Sequence, residues 1–264
     1  MLPASESDAG SVGYVATRLA SRGSFRMGRM TDVVSRIAEN LNRVRQRIAA
    51  AAARGGRAAD AVKLVAVTKY VGLEQTRALA TAECLDLGES RPQELWGKAE
   101  LLADPAIHWH LIGHLQRNKI RRVLPHVALL HAGDSEKLLA AVNEEARVAA
   151  RCVPMLLEVN ISGDAAKHGF APAELESLVP KLAQFECLDV RGLMAMAGLE
   201  SDAQQTRREF ASVRELRDRL QRLAPATTRL DELSMGMSGD FEIAIEEGAT
   251  IVRVGSALFE GILP

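Results

Sequence analysis

The stretch Leu64-Val65-Ala66-Val67-Thr68-Lys69-Tyr70-Val71-Gly72 decides the fold. Its first six residues form a short apolar run of the kind found in parallel strands that are covered on both faces. An open, doubly wound sheet would want a glycine-rich G-x-G-x-x-G turn after its first strand, and the residues that follow Lys69 do not form one. The stretch therefore favours a closed barrel over an open sheet, and its strand ends on a charged lysine.

Strand-like and helix-like segments alternate from this stretch to the end of the chain. Further strands are predicted at Cys84–Gly88, His108–Gly113, Ala128–Ala132, Pro154–Ile161, Val190–Met196, Leu233–Met237 and Ile251–Gly255. Helices are predicted between them at Leu73–Thr81, Pro92–Ala103, Gln116–Leu124, Ser135–Arg151, Pro172–Gln184, Ala203–Leu223 and Asp240–Glu247. Eight strands separated by helices in about 230 residues predict an α/β fold, a single (β/α)8 TIM barrel.

The sequence ahead of the first strand divides near residue 31. Residues 1–30 are rich in Ser, Gly and Arg and lack the apolar segment of a secretory signal, and we favour a disordered extension over a transit peptide. From Thr31 to Gly55-Gly56, apolar residues recur at helical spacing, which predicts an extra N-terminal helix. We expect residues 31–264 to form one barrel domain, with no C-terminal β domain after Pro264.

Composition excludes several classes of function. A net charge of -1, a pI near 6.6 and 4% aromatic residues argue against binding nucleic acid or an anionic membrane. No run approaches the roughly 20 apolar residues of a membrane span. Three well-separated cysteines, Cys84, Cys152 and Cys187, indicate a reduced, cytoplasmic setting.

Lys69 is the first candidate for chemistry. Alternation along the strand places Val65, Val67 and Lys69 on one face, so we expect the amine to lie among apolar neighbours. Such surroundings disfavour its charged form and make it a nucleophile. The alternative is a lysine whose head extends from the strand end into water.

Two segments near the C-terminus complement this lysine. One runs from Ser234 to Asp240 and the other from Val252 to Ser256, and barrel phosphate sites lie after the seventh and eighth strands. Their small residues allow backbone N–H groups and hydroxyls to approach an anion. The candidate contacts are Ser234, Ser238, Gly239, Gly255 and Ser256. A lysine facing a phosphate cup predicts pyridoxal 5′-phosphate (PLP) as the cofactor.

Arg253 falls on the inward face of the last strand by alternation. There it can donate to the pyridine nitrogen of PLP, and a cation at that position weakens the ring as an electron sink. The alternative is that Arg253 pairs with an inward carboxylate such as Glu158.

Five motifs carry a resemblance that spans about Asp32 to Gly261. They are Ala66–Lys69, His108–Lys119, Arg191–Met196, Ser234–Asp240 and Val252–Ser256. Together they resemble the YggS/PROSC family of PLP homeostasis proteins. The chain departs from the family pattern at Ser90-Arg91, where the family has Asn-Tyr, and at His168, which stands in the family's Lys-Ser-Gly tract.

The resemblance implies an alanine-racemase-like barrel with PLP held as a Schiff base on Lys69. It also implies phosphate contacts around Ser238, Gly255 and Ser256, and Arg253 at the pyridine nitrogen. Its implied function is to bind and buffer PLP in vitamin B6 homeostasis without robust catalysis. The recipients would be apo PLP-dependent enzymes, and we expect a monomer or weak dimer.

The competing hypothesis is a slow amino-acid racemase, and a class I aldolase-like barrel that uses Lys69 without PLP is a third. Racemisation needs an acid or base on each face of the cofactor, and we expect Tyr70 to point away from Lys69. We therefore favour the carrier. His108 and His110 share a strand face, but the remaining histidines form no recognisable ligand set, and we predict no metal site.

Overall fold

Eight parallel strands form a closed barrel in which each strand pairs with its neighbours in chain order. The structure is a computed structural model that describes residues 12–161, 168–198 and 200–262, with side chains from Asp32 onward. The strands are β1 (Lys63–Val67), β2 (Asp86–Glu89), β3 (His108–Leu111), β4 (Val127–Gly133), β5 (Val153–Glu158), β6 (Leu188–Met194), β7 (Glu232–Ser234) and β8 (Ile251–Val254). β1 closes the barrel by pairing with β8, which confirms the predicted (β/α)8 architecture.

A helix precedes the barrel, and further helices cover its outside. The helices are α1 (Val12–Arg54), α2 (Leu73–Thr81), α3 (Pro92–Leu102), α4 (Ile120–Val123), α5 (Glu136–Val148), α6 (Pro172–Leu178), α7 (Ala203–Leu223) and α8 (Phe241–Glu246). Short 3-10 helices lie at Ala59–Ala61, Arg117–Lys119, Val179–Gln184 and Ser256–Leu258. α1 begins upstream of the expected start at Thr31. Residues 1–11 lie outside the described residues, and the disorder of residues 1–30 stays a prediction.

The side chains form two apolar cores, as alternation along parallel strands requires. Val65 packs inside the barrel with Leu129, Ala132, Leu156, Met194 and Ile251. Ala66, the next residue along β1, belongs instead to the larger core between the strands and the helices. Each strand therefore contributes to a small inner core and to a large outer one, and the few polar side chains of the inner core stand out.

β1 ends two residues earlier than the sequence predicted. Val67 is its last residue, because Thr68 begins a tight turn in which the N–H of Val71 donates to the carbonyl of Thr68 at 3.0 Å. Lys69 therefore lies in the turn between β1 and α2 and not on the strand. Among the described helices, none combines the length and apolarity needed to cross a membrane.

Candidate cofactor site at the mouth of the barrel

Lys69 lies at the rim of the barrel, where β1 and β8 end side by side. A Cβ atom added to Gly255 would lie 3.4 Å from the Cβ of Val67, so these two residues are in contact. Lys69 is exposed, and its Nζ lies 4.8 Å from the centroid of the Tyr70 ring. The expectation that Lys69 lies buried among valines is therefore wrong, because the strand ends before it and the turn carries it into solvent.

The turn that carries Lys69 is fixed by a buried lysine, Lys98 of α3. Its Nζ donates to the carbonyl oxygens of Thr68 and Val71, at 2.9 and 2.8 Å, and to the Oε1 of Glu89 at 2.5 Å. The hydroxyl of Thr68 donates to the same Oε1 at 2.6 Å. One ion pair between the barrel and α3 thus holds the backbone on both sides of Lys69.

Glu89 is fully buried, and its second oxygen, Oε2, is the one buried side-chain nitrogen or oxygen atom in the described part of the chain that has no hydrogen-bond partner. A buried carboxylate with one unsatisfied oxygen is costly on its own and is tolerated because the other oxygen is paired with Lys98. The ion pair that holds the Lys69 turn therefore leaves one oxygen of Glu89 without a hydrogen bond.

The ends of β7 and β8 form a cup of backbone N–H groups. Ser238 Oγ accepts the N–H of Gly255 at 3.2 Å and so ties the two loops together. Within the described residues, the N–H groups of Ser238, Gly239, Ser256 and Ala257 donate to no protein acceptor. Unpaired N–H groups in two adjoining loops, with serine hydroxyls beside them, suit a phosphate group.

Two residues shape the first of these loops. The carboxylate of Asp240 accepts the N–H of Met237 at 2.5 Å, which closes the turn around Ser238 and Gly239. Gly236 has a φ of 92°, and a Cβ there would lie 2.6 Å from the Cβ of Ala244. The loop needs glycine at that position both for its conformation and for its contact with α8.

Arg253 is buried beneath the cup, with 4% of its surface exposed. Its Nη1 donates to the carbonyl and the hydroxyl oxygen of Ser234, at 2.7 and 2.6 Å, and its Nη2 donates to the carbonyl of Ala195 at 3.1 Å. Burial lowers the pKa of Arg253 to about 10, which leaves it protonated at neutral pH. These bonds use three of its five N–H donors, so two remain for a ligand.

The alternative of an Arg253–Glu158 ion pair is wrong, because neutral oxygens hold the guanidinium. Ser234 is likewise placed differently from the other candidates. It is fully buried in the barrel, and its hydroxyl contacts Arg253 and His131 at 2.6 and 2.9 Å. Ser234 therefore supports Arg253 and does not line the phosphate cup.

A chain of hydrogen bonds continues from Ser234 across the inner core. Nε2 of His131 lies 2.9 Å from Nδ1 of His110, and Nε2 of His110 lies 2.9 Å from Oδ1 of Asp86. Both imidazoles are buried, and burial lowers the pKa of His110 and brings that of His131 well below its ordinary value. The sequence offered only a weak signal for this chain, namely polar residues on predicted inward faces.

Across the same mouth from Lys69, titratable side chains lie where β3, β4 and β5 end. Burial, together with the charge of Asp134, raises the pKa of Glu158 to about 7. His114 Nδ1 lies 2.7 Å from Oδ2 of Asp134, and the ring of His168 stacks on that of His114 at 4.7 Å. Ligand atoms of His114, Asp134 and His168 lie within 4.8 Å of one another. The two rings are only 15° from parallel, so their lone pairs do not converge on one ion.

Comparison with known proteins finds relatives that are named for pyridoxal phosphate and a structure that was solved with it. A family model described as alanine racemase, N-terminal domain, matches residues 34–262. The pyridoxal phosphate homeostasis proteins of Aquifex aeolicus and Pseudomonas aeruginosa are each 39% identical to it, over 84% and 86% of this chain and 96% of theirs. PipY of Synechococcus elongatus, solved with PLP bound, superposes with a TM-score of 0.75 at 36% identity, covering 84% of this chain and 99% of PipY.

Proposed function

This chain belongs to the family of pyridoxal phosphate homeostasis proteins, and from that premise we propose that it holds PLP on Lys69 and buffers or carries it for other proteins. It is related through its barrel to the fold-type III PLP enzymes. The observation that carries the proposal is the meeting of three features at one end of the barrel. They are an exposed primary amine, a cup of unpaired N–H groups and a buried arginine with spare donors.

Each feature matches one part of the cofactor. Lys69 would supply the amine for the aldehyde of PLP, and the Lys98–Glu89 pair holds its turn in place. The N–H groups of Ser238, Gly239 and Ser256 would receive the phosphate. PLP, when bound, supplies an aldehyde for the lysine and a ring that can delocalise electrons.

Arg253 decides how strongly that ring can act. A permanent cation beside the pyridine nitrogen opposes its protonation, which weakens the ring as an electron sink. Because Ser234 and Ala195 hold Arg253 through neutral oxygens, its charge is not cancelled by a carboxylate in contact with it. This arrangement suits storage of the cofactor better than fast catalysis.

A slow amino-acid racemase is the second candidate, and Glu158 is the observation that favours it. Its carboxyl has a pKa of about 7 and lies near the mouth, so it can gain or lose a proton at neutral pH. Tyr70 is 78% exposed and contacts Lys69 through its ring face, so it is a poor partner for proton transfer on the second face of the cofactor.

Two measurements on the PLP-loaded chain separate these functions. A carrier should restore activity to an apo PLP-dependent enzyme faster than PLP that has first dissociated from the chain into solution would. A racemase should exchange the α-hydrogen of an amino acid in deuterated water at a useful rate. Delivery without exchange supports the carrier. Rapid exchange that is lost in Glu158→Gln would instead establish the racemase.

A further inference from the structure

A hydrogen-bonded chain crosses the inner core from the N-terminal mouth of the barrel to Arg253. Its members are Asp86 of β2, His110 of β3, His131 of β4, Ser234 of β7 and Arg253 of β8, and each successive contact measures 2.6 to 2.9 Å. We propose that His131 and His110 are positioning residues that fix Ser234, and through it the guanidinium of Arg253, for the ring nitrogen of the cofactor. This inference rests on the proposed function.

The two ends of the chain determine the direction of every bond in it. Asp86 is ionised and can only accept, so Nε2 of His110 carries the proton of that bond. His110 is neutral, so its Nδ1 accepts from the Nε2–H of His131. His131 is neutral in turn, and its Nδ1 accepts the hydroxyl proton of Ser234.

Ser234 Oγ then presents only lone pairs to Arg253, which can only donate. The carboxylate at one end and the guanidinium at the other therefore require the same arrangement of protons. Because both ends of the hydrogen-bonded chain require the same proton positions, it has one low-energy arrangement and holds its side chains rigidly.

The neutrality of the two histidines follows from what surrounds them. His110 and His131 are 2% and 0% exposed, and their rings meet edge to face, 60° apart. The charged or titratable groups that act on them are Asp86, Lys63, His108 and Arg253. Only Asp86 is negative, and of the two buried histidines it contacts only His110. Adding a proton to His131 would therefore place a second cation in the inner core beside Arg253.

A space-filling role would not account for this arrangement. Leucine at either histidine position would fill an apolar core without the cost of burying ring nitrogens. The Nη1 of Arg253 donates to both oxygens of Ser234, so the Ser234 hydroxyl must present a lone pair at a set angle. The hydrogen bond to His131 fixes that angle, which explains why the polar residues are present. Loss of the chain would free the hydroxyl to rotate and the guanidinium to tilt.

The proton arrangement can be tested directly in the 15N-labelled full-length chain, with and without PLP. Long-range 1H–15N correlation spectra should show both His110 and His131 as neutral Nε2–H tautomers from about pH 6 to pH 8. Single His110→Gln and His131→Gln variants assign the signals. An Nδ1–H tautomer at either residue, or titration of either within that range, would overturn the proposed chain.

The positioning role is tested by the pH at which the absorbance band of bound PLP changes. We expect His131→Leu to shift that pH by about 1 unit and to weaken PLP binding about tenfold. His131→Asn, which can still accept from Ser234, should recover part of both effects. Leu129→Ala is the matched control, because it opens a cavity beside His110 on the same face of β4 but removes no hydrogen-bonding group of the Asp86–Arg253 chain.

Two outcomes count against the proposal. If His131→Leu and Leu129→Ala shifted the pH of the absorbance change equally, His131 would have only a structural role. A parent chain that binds no PLP would defeat the proposed function, and the positioning role with it, whereas the tautomer spectra would still decide whether the hydrogen-bonded chain exists.

Discussion

At the scale of single residues, the polar groups of this barrel owe their properties to burial. Arg253, His131 and Glu158 all have pKa values displaced in the direction that favours the neutral form, and desolvation is the largest cause for each. These three side chains lie at the mouth and in the inner core, positions that are filled mainly by aliphatic side chains in TIM barrels. Such concentration of displaced pKa values is typical of functional sites.

Glu158 provides a pH-dependent test of this environment. Because folding raises its pKa from 4.5 to about 7, the folded chain holds this proton more tightly, and stability falls as pH rises between those values. Glu158→Gln removes the cost of the charge. We expect the variant to be more stable than the parent at pH 8 by about 2–3 kcal/mol, and equally stable near pH 4. Urea denaturation at both pH values measures the difference.

An equal gain at both pH values would show that the effect of Glu158→Gln is packing and not charge. No gain at pH 8 would mean that solvent reaches the carboxylate. In either case Glu158 would lose its place as a candidate proton donor at the mouth.

Lys98 provides a second residue-scale test. Lys98→Met leaves the fully buried Glu89 without a counter-charge and the carbonyls of Thr68 and Val71 without a donor. Breaking a buried pair in this way should lower the free energy of unfolding by about 3–5 kcal/mol. The exposed Lys137→Met should change it by less than about 0.5 kcal/mol. Thermal and urea unfolding of the three proteins decide the point.

Adding Glu89→Gln to Lys98→Met should restore part of the lost stability, because no buried charge then remains. PLP attachment should be weaker than in the parent for both Lys98→Met and the double variant, since the Lys69 turn is unanchored in each. A double variant that is no more stable than Lys98→Met would contradict the ion-pair account.

At the scale of elements, the N-terminal helix supports the phosphate cup from behind. Asn40 of α1 is fully buried, and its Nδ2 donates to the carbonyls of Leu258 and Glu260, at 3.0 and 3.1 Å. Leu258 ends the 3-10 helix that begins at Ser256, one of the cup residues. The extra helix is therefore part of the structure that sets the cup.

Asn40→Ala tests this connection. It leaves two carbonyl groups without their donor, and we expect a loss of about 1–3 kcal/mol in stability. Asn42→Ala, on the exposed side of the same helix, should cost less than about 0.5 kcal/mol. PLP affinity should fall only in the first variant. If both variants bound PLP like the parent, α1 would have no influence on the cup.

At the scale of the whole molecule, the sequence predicted the barrel well and the site in part. Alternating segments place eight strands correctly because parallel strands buried on both faces leave strong apolar runs, as at Leu64–Val67. The boundary at Lys69 was missed because a turn held by Lys98 and Glu89 depends on a helix distant in sequence. The role of Ser234 was missed for a similar reason, since its partners His131 and Arg253 come from opposite sides of the barrel.

Attachment of the cofactor to Lys69 can be measured by mass spectrometry of the borohydride-reduced, PLP-loaded chain. The parent and Lys63→Ala should each carry one phosphopyridoxyl group on the peptide that contains Lys69, and Lys69→Ala should carry none. Lys63 is the matched control, an exposed lysine at the start of β1, whereas Lys69 follows the end of that strand. An adduct on another lysine of the parent, or no adduct at all, would contradict the account.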